Sequence, residues 1–134
     1  MWECAVVDGQ TLDVAEVLAV YQASGLAERR PVADRERFAT MLRTANLVVT
    51  ARIDGRLVGI ARSITDGAYV TYLSDIAVDR QFQRRGIGVD LIRVTQEAAP
   101  QAKLVLLSAP AAVDYYPRIG FSRHPSAWVR DPLT

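Results

Sequence analysis

The run Gln83-Arg84-Arg85-Gly86-Ile87-Gly88 has the composition of a loop that holds an anion. Two glycines spaced Gly86-x-Gly88 at the start of a helix let the backbone approach a ligand without Cβ collisions. The free amides of a first helical turn, with the positive end of the helix dipole, then face that ligand. Arg84 and Arg85 add charge and Gln83 adds an amide donor, so a diphosphate is the natural guest. A solvated turn can have the same two glycines, and the loop alone leaves that alternative open. Two other phosphate motifs are excluded by residue type. A dinucleotide fingerprint needs a third glycine where Leu91 stands, and the nucleotide-hydrolase loop needs Gly-Lys-Ser/Thr, which is absent.

Other reactive side chains are sparse. Cys4, the single cysteine, lies beside Ala5, Val6 and Val7 and reads as a buried strand residue. His124, the only histidine, has no Cys/His cluster around it, so no metal is expected. A count of 16 basic and 15 acidic side chains gives a net charge of +1, which indicates no general attraction to nucleic acid or anionic lipid. Anion binding must therefore come from local placement of charge. No apolar run approaches the ~20 residues of a membrane span, and the N-terminus lacks the pattern of a signal peptide. A cytoplasmic location is expected, and the lone cysteine suits a reducing compartment. The 134 residues, half of them hydrophobic and 23% charged, suit a single domain over 1–134.

The elements that must position the loop are readable from period and punctuation. Residues 2–7 form a first strand. Thr11 can cap a helix whose apolar face is Val14, Val17, Leu18 and Tyr21, and Gly25 ends it. A loop over 26–33 contains Arg29 and Arg30, then Asp34 caps a shorter helix with Phe38, Met41 and Leu42 on its stripe. Residues 46–53, 56–65 and 69–78 read as three strands, joined at Asp54-Gly55 and Asp66-Gly67 into an antiparallel meander. A helix follows Gly86 with Ile87, Leu91, Val94 and Ala98 along one side, and Pro100 closes it. Residues 103–107 read as a buried strand, and a short helix then runs from Pro110 to Tyr116, with Pro117 ending it. Gly120-Phe121 begins a further short strand and residues 127–130 read as another. The order β-α-α-β-β-β-α-β-α-β defines an α+β domain with one crossover helix between strands.

Two separated segments then point to a family. Ile76-Ala77-Val78, a polar link and Gln83-x-x-Gly86-x-Gly88 resemble the signature of the GNAT acyltransferase superfamily. Downstream, Tyr115-Tyr116-Pro117-Arg118-Ile119-Gly120-Phe121 resembles that family's aromatic-Tyr-x-x-x-Gly-Phe segment. Motif order and element order agree, so the resemblance spans nearly the whole chain. It implies a mixed, mostly antiparallel twisted sheet flanked by helices, with a splayed central pair of parallel strands. It also implies acetyl-coenzyme A as acyl donor, with the pyrophosphate on Gln83, Arg84, Arg85, Gly86, Ile87 and Gly88. The pantetheine arm would lie along Ile76, Ala77 and Val78, beside Tyr115.

The reaction implied is direct attack of a small-molecule primary amine on the thioester, without an acyl-enzyme. Tyr116 matches the tyrosine that serves the leaving thiolate. Asp75 is a candidate base, and can equally be a structural carboxylate. Strict alternation puts Tyr72 and Ser74 on one face of the strand and Leu73 and Asp75 on the other, unless a bulge intervenes. Arg29, Arg30 and Tyr72 would border the acceptor site, the arginines as a lid or a site for an acidic acceptor, with a solvated loop as the alternative. Many relatives have Asn near the position of Ala109, a contact this chain cannot make. A non-catalytic acyl-coenzyme A sensor and a protein N-acetyltransferase are the alternative functions. Dimerisation is common in the family and is not readable from these residues.

Overall fold

The computed structural model describes all residues, Met1–Thr134. Five strands form one sheet in chain order: β1 (Glu3–Val7), β2 (Leu47–Ile53), β3 (Arg56–Thr65), β4 (Val70–Val78) and β5 (Lys103–Val105). The first four pair antiparallel, whereas β4 and β5 are parallel. Helices α1 (Val14–Ser24) and α2 (Arg35–Thr44) cover one face, and α3 (Ile87–Ala98) covers the other. Each face has its own core. Tyr21, Phe38, Leu42 and Ile60 meet on the first, and Val49, Val58, Ile87 and Leu91 on the second.

Local signals produced most of these elements. Asp54 and Gly55 both take positive φ (49° and 81°), the mirror-image turn that suits the twist of β2 and β3. Asp34 caps α2 by accepting from Arg37 N at 3.1 Å. The cap of α1 is Asp13, which accepts from Ala15 N; the expected Thr11 instead bonds Asp8 O from its hydroxyl. The buried face of α3 is Ile87, Leu91, Ile92 and Thr95, with Ala98 exposed, so the apolar side is rotated from the one expected.

The C-terminal quarter departs further from expectation. β5 spans three residues with an exposed-intermediate-exposed pattern and is not a buried strand. The helix expected up to Tyr116 is replaced by two 3₁₀ turns, Pro110–Ala112 and Tyr116–Ile119, so helical structure begins at Tyr116 where it was expected to end. Pro117 fits because a first-turn residue needs no amide partner. No strand forms at Gly120-Phe121, nor over 127–130, where every residue is exposed, and neither segment has a neighbouring strand to complete a ladder. The parallel pair therefore lies at one edge of the sheet.

The relation that shapes the site is between β4 and β5. They pair only at Val70–Lys103, Thr71–Leu104 and Tyr72–Val105. Just beyond, the β3–β4 register slips: Arg62 faces Asp75 while Ser63 faces Leu73, leaving Ser74 as an extra residue. Such a bulge bends its strand. From Leu73 onward β4 has no partner on that side, and a cleft opens there.

Candidate functional site

The cleft has two ends that share Leu26, Arg29, Ile76, Ala109 and Tyr116. The wider end, about 270 Å³, adds Ala77, Val78, Arg80 and Gln83 and faces the Gly-rich loop. The narrower end, about 60 Å³, adds Arg30, Leu73, Ser74, Leu106 and Leu107.

Along β4 the backbone faces of successive residues alternate. Asp79 N donates to Val58 O at 2.9 Å, and Ala77 lies opposite Ile60. The N–H and C=O groups of Ile76 and Val78 therefore point away from β3, into the cleft. Val78 O accepts from the side-chain amide of Gln83 at 2.9 Å, which ties the loop to the strand end. Gln83 thus spends one donor on the fold.

The loop itself turns through Arg84 (φ 65°) and Gly86 (φ 101°), the latter a value that disfavours any side chain. The first helical bond of α3 is Asp90 N to Gly86 O. The amides of Ile87, Gly88 and Val89 have no backbone acceptor and form an anion-facing helix start. The Ile87 side chain is buried in the core, so only its backbone is available to a ligand. Arg85 stacks on Phe82, with its guanidinium 5.2 Å from the ring centre. A Cβ on Gly88 would stand 3.8 Å from Tyr115 Oη and 4.0 Å from a Val78 methyl, so this glycine leaves open the space between helix and strand. Free strand amides, free helix amides and cationic side chains together fit a diphosphate with an extended amide-containing arm.

Tyr116 lines both ends of the cleft. Its ring packs edge-on against Tyr115 and Phe121, with centroids 5.3 and 5.4 Å away. Burial, with a smaller effect from neighbouring Tyr115, raises its pKa above the ordinary phenol value, so the hydroxyl stays protonated. Tyr72 stands at the last rung of the parallel pair, partly exposed, and does not line the cleft.

Asp75 lies behind the cleft wall, its own side chain fully enclosed by a cluster of partners. Its Oδ1 accepts from Arg30 Nε and its Oδ2 from Arg62 Nε and from Tyr21 Oη, all at 2.6 Å. The side chains of Asp75, Arg62 and Arg30 are 0%, 8% and 22% exposed. Burial alone would push the Asp75 carboxyl up. The bond and charge of Arg62, then the bonds from Tyr21 and Arg30, outweigh it and hold the group below the usual carboxylate range. Tyr21 moves the other way, pushed well above its ordinary value by burial and by the adjacent carboxylate. The bulge separates Leu73, in the α3 core, from Asp75 on the α1 side, contrary to strict alternation.

Of the residues expected at the site, Ile76, Ala77, Val78, Gln83, Tyr116, Arg29 and Arg30 line the cleft. Arg80, Gly25 and Leu26 form a wall that sequence reasoning missed. Gly25 has a physical reason, since a Cβ there would come 2.6 Å from an Arg80 nitrogen. Arg62 was missed too, although one charged residue inside the apolar run of β3 is a recognisable sign of a buried ion pair.

The open sheet, crossover helix and splayed parallel strands define a GNAT-type acyltransferase fold. Residues 17–133 match the family model described as an acetyltransferase (GNAT) domain, and the chain belongs to that family. It is 30% identical over 73 residues to GCN5-related N-acetyltransferase 2, chloroplastic, of Arabidopsis thaliana. That match covers 52% of this chain, which spans only 28% of the relative's length. Among solved structures, a GNAT-family acetyltransferase from Streptococcus pneumoniae is similar over 98% of this chain and 100% of its own, with TM-score 0.76 and 21% identity. An aminoglycoside acetyltransferase from an uncultured soil metagenomic sample, in complex with sisomicin, has TM-score 0.73 and 17% identity, covering 99% and 97% of the two chains. At these identities the structural likenesses establish the fold. No helix is long and apolar enough to cross a membrane.

Proposed function

We propose that this chain transfers an acetyl group from acetyl-coenzyme A to the primary amine of a small molecule in one ternary complex. The observation that carries the reading is the pair of free β4 amides, at Ile76 and Val78, together with the free amides at the start of α3. The thioester supplies an electrophilic carbonyl carbon; the amine forms the new C–N bond as the C–S bond breaks. The departing sulfur gains a proton from Tyr116, and the nitrogen loses one to water, from which the Tyr116 phenol is restored.

The residues divide this work. The amides of Ile87, Gly88 and Val89, with Arg84 and Arg85, hold the diphosphate. The Ile76 and Val78 backbone aligns the arm, and an amide facing the carbonyl oxygen would stabilise negative charge there, worth ~3–4 kcal/mol for one donor. Tyr116, kept protonated by burial, gives its proton to the departing sulfur. Asp75 acts as the anchor of Arg30 and Arg62, the structural alternative, because both its oxygens are already occupied and its pKa is depressed. The attacking amine enters neutral and releases its proton to water, since no aspartate, glutamate or histidine lines the acceptor end.

Thiol release measured with a panel of amines tests the proposal. Acetyl-coenzyme A should bind, and at least one amine should accelerate thiol release with formation of its N-acetyl product. Binding without acceleration by any amine would favour a sensor, and absence of binding would remove the reading altogether.

A further inference from the structure

Arg29 and Arg30 are consecutive, line the same end of the cleft, and differ in what holds them. Arg30 is fixed. Its Nε donates to Asp75, its Nη2 to Ser74 O at 2.9 Å and its Nη1 to Arg29 O at 2.8 Å. A guanidinium has five N–H donors, so two remain after these three bonds. Arg29 sits at the end of a 3₁₀ turn, is exposed, and forms no ion pair. Its whole donor fork is free to meet a ligand.

The charge count around this end does not balance. Behind the wall, Arg30 and Arg62 contribute two positive charges against the single negative charge of Asp75. Tyr21 adds none, because it stays protonated. Arg29 adds a second uncompensated positive charge. No aspartate or glutamate lines either end of the cleft, and Glu28, on the same turn as Arg29, is exposed and lines neither. Beside Ser74 and Tyr116, most of the remaining surface is apolar, with Leu26, Leu106 and Leu107 among its residues.

We infer that the acceptor is an amine that also has a carboxylate, an apolar α-amino acid being the simplest case, with Arg29 gripping the carboxylate in front of the fixed Arg30. The inference rests on the acetyl-transfer reading above and names the acceptor class for it. The planar fork of an arginine matches two carboxylate oxygens at once, and a partly enclosed cleft strengthens that pairing. The leucines receive the apolar side chain. A polycationic acceptor such as an aminoglycoside would meet two guanidiniums and no carboxylate, so the same count disfavours it.

The test compares phenylalanine, leucine and methionine with their methyl esters and with the matching amines that lack the carboxyl group. Product is followed by N-acetyl formation, and acetyl-coenzyme A binding is measured separately by calorimetry. At least one free amino acid should be acetylated with kcat/KM at least ~10-fold above its ester and decarboxylated partner, the factor expected for one charged hydrogen bond. Arg29→Gln should raise KM for that amino acid by a similar factor and lower the acid-to-ester ratio of kcat/KM toward one. Equal or better use of esters, plain amines or an aminoglycoside would overturn the inference, as would a panel left unacetylated by protein that binds acetyl-coenzyme A. An Arg29→Gln variant with an unchanged acid-to-ester ratio would also overturn it. Failure to bind acetyl-coenzyme A would instead refute the parent reading.

Discussion

The Arg30 side chain reaches across to donate from Nε to Asp75 Oδ1 at 2.6 Å, joining a loop after the first helix to the strand that lines the cleft. That bond makes one carboxylate responsible for the shape of the narrower end of the cleft and for the packing behind it. The two roles predict separable consequences.

Asp75→Asn should lower the free energy of unfolding by about 3 kcal/mol, because it strands the Arg62 charge in a site that excludes water. The figure is at the low end for a broken buried pair, since the amide oxygen still accepts one bond. Urea unfolding followed by circular dichroism measures it. An unchanged midpoint, accompanied by loss of the acidic limb of the kcat profile, would restore Asp75 as the base.

Acid should unfold the wild-type protein partly through the same group. The folded pKa of Asp75 is depressed, so its stabilisation is complete above the unfolded value of about 4 and is lost as pH falls through the folded value. Melting temperature measured from pH 6 down to pH 2 should hold level to about pH 4 and then drop, and the drop should be shallower in Asp75→Asn. Identical acid limbs in the two proteins would contradict this assignment.

Gly88→Val should abolish binding of coenzyme A while changing the melting temperature little. The added side chain fills the space between Tyr115 Oη and Val78, yet its Cβ meets both at ordinary contact distance. Gly86 is the poorer probe, because its φ of 101° adds ~1–2 kcal/mol of backbone strain to any substitution there. Trp2, whose ring lies near Gly86, offers a fluorescence readout once the exposed Trp128 is replaced by Phe. Retained affinity in Gly88→Val would remove the loop from cofactor binding.

Tyr116→Phe should reduce kcat by ~10²–10⁴ with little change in KM for acetyl-coenzyme A, as expected when a general acid is lost and its packing kept. Because burial raises the Tyr116 pKa, any falling limb of the wild-type rate from this group should lie above that of an ordinary phenol. Stopped-flow thiol detection across pH provides both numbers. A full rate in the variant would leave Tyr116 only its place against Tyr115 and Phe121.

Cys4 should be slow to alkylate. Burial, followed by the hydrogen bond and charge of Asp90, pushes its thiol up to about 12, so thiolate is scarce at neutral pH. Labelling at pH 8 should speed up sharply only when the protein is unfolded in urea; a native rate equal to that of a free thiol peptide would be the contrary result.

The residues by themselves determined what depends on neighbours in the chain. Asp54-Gly55 set the hairpin, Asp34 and Gly25 set helix ends, and Gly86 with the free amides after it set an anion-facing helix start. Tyr116 was singled out by the resemblance of its motif, and it lines the cleft. Tertiary structure decided whatever required two distant segments to meet. The Ser74 bulge put Leu73 and Asp75 on opposite faces, which no alternation rule could foresee, because the slip is fixed by pairing with β3. The enclosure of Asp75 depended on Tyr21, Arg30 and Arg62 arriving from three other elements. The last strands failed for a related reason: β propensity near the C-terminus forms nothing until a partner edge completes its hydrogen bonds.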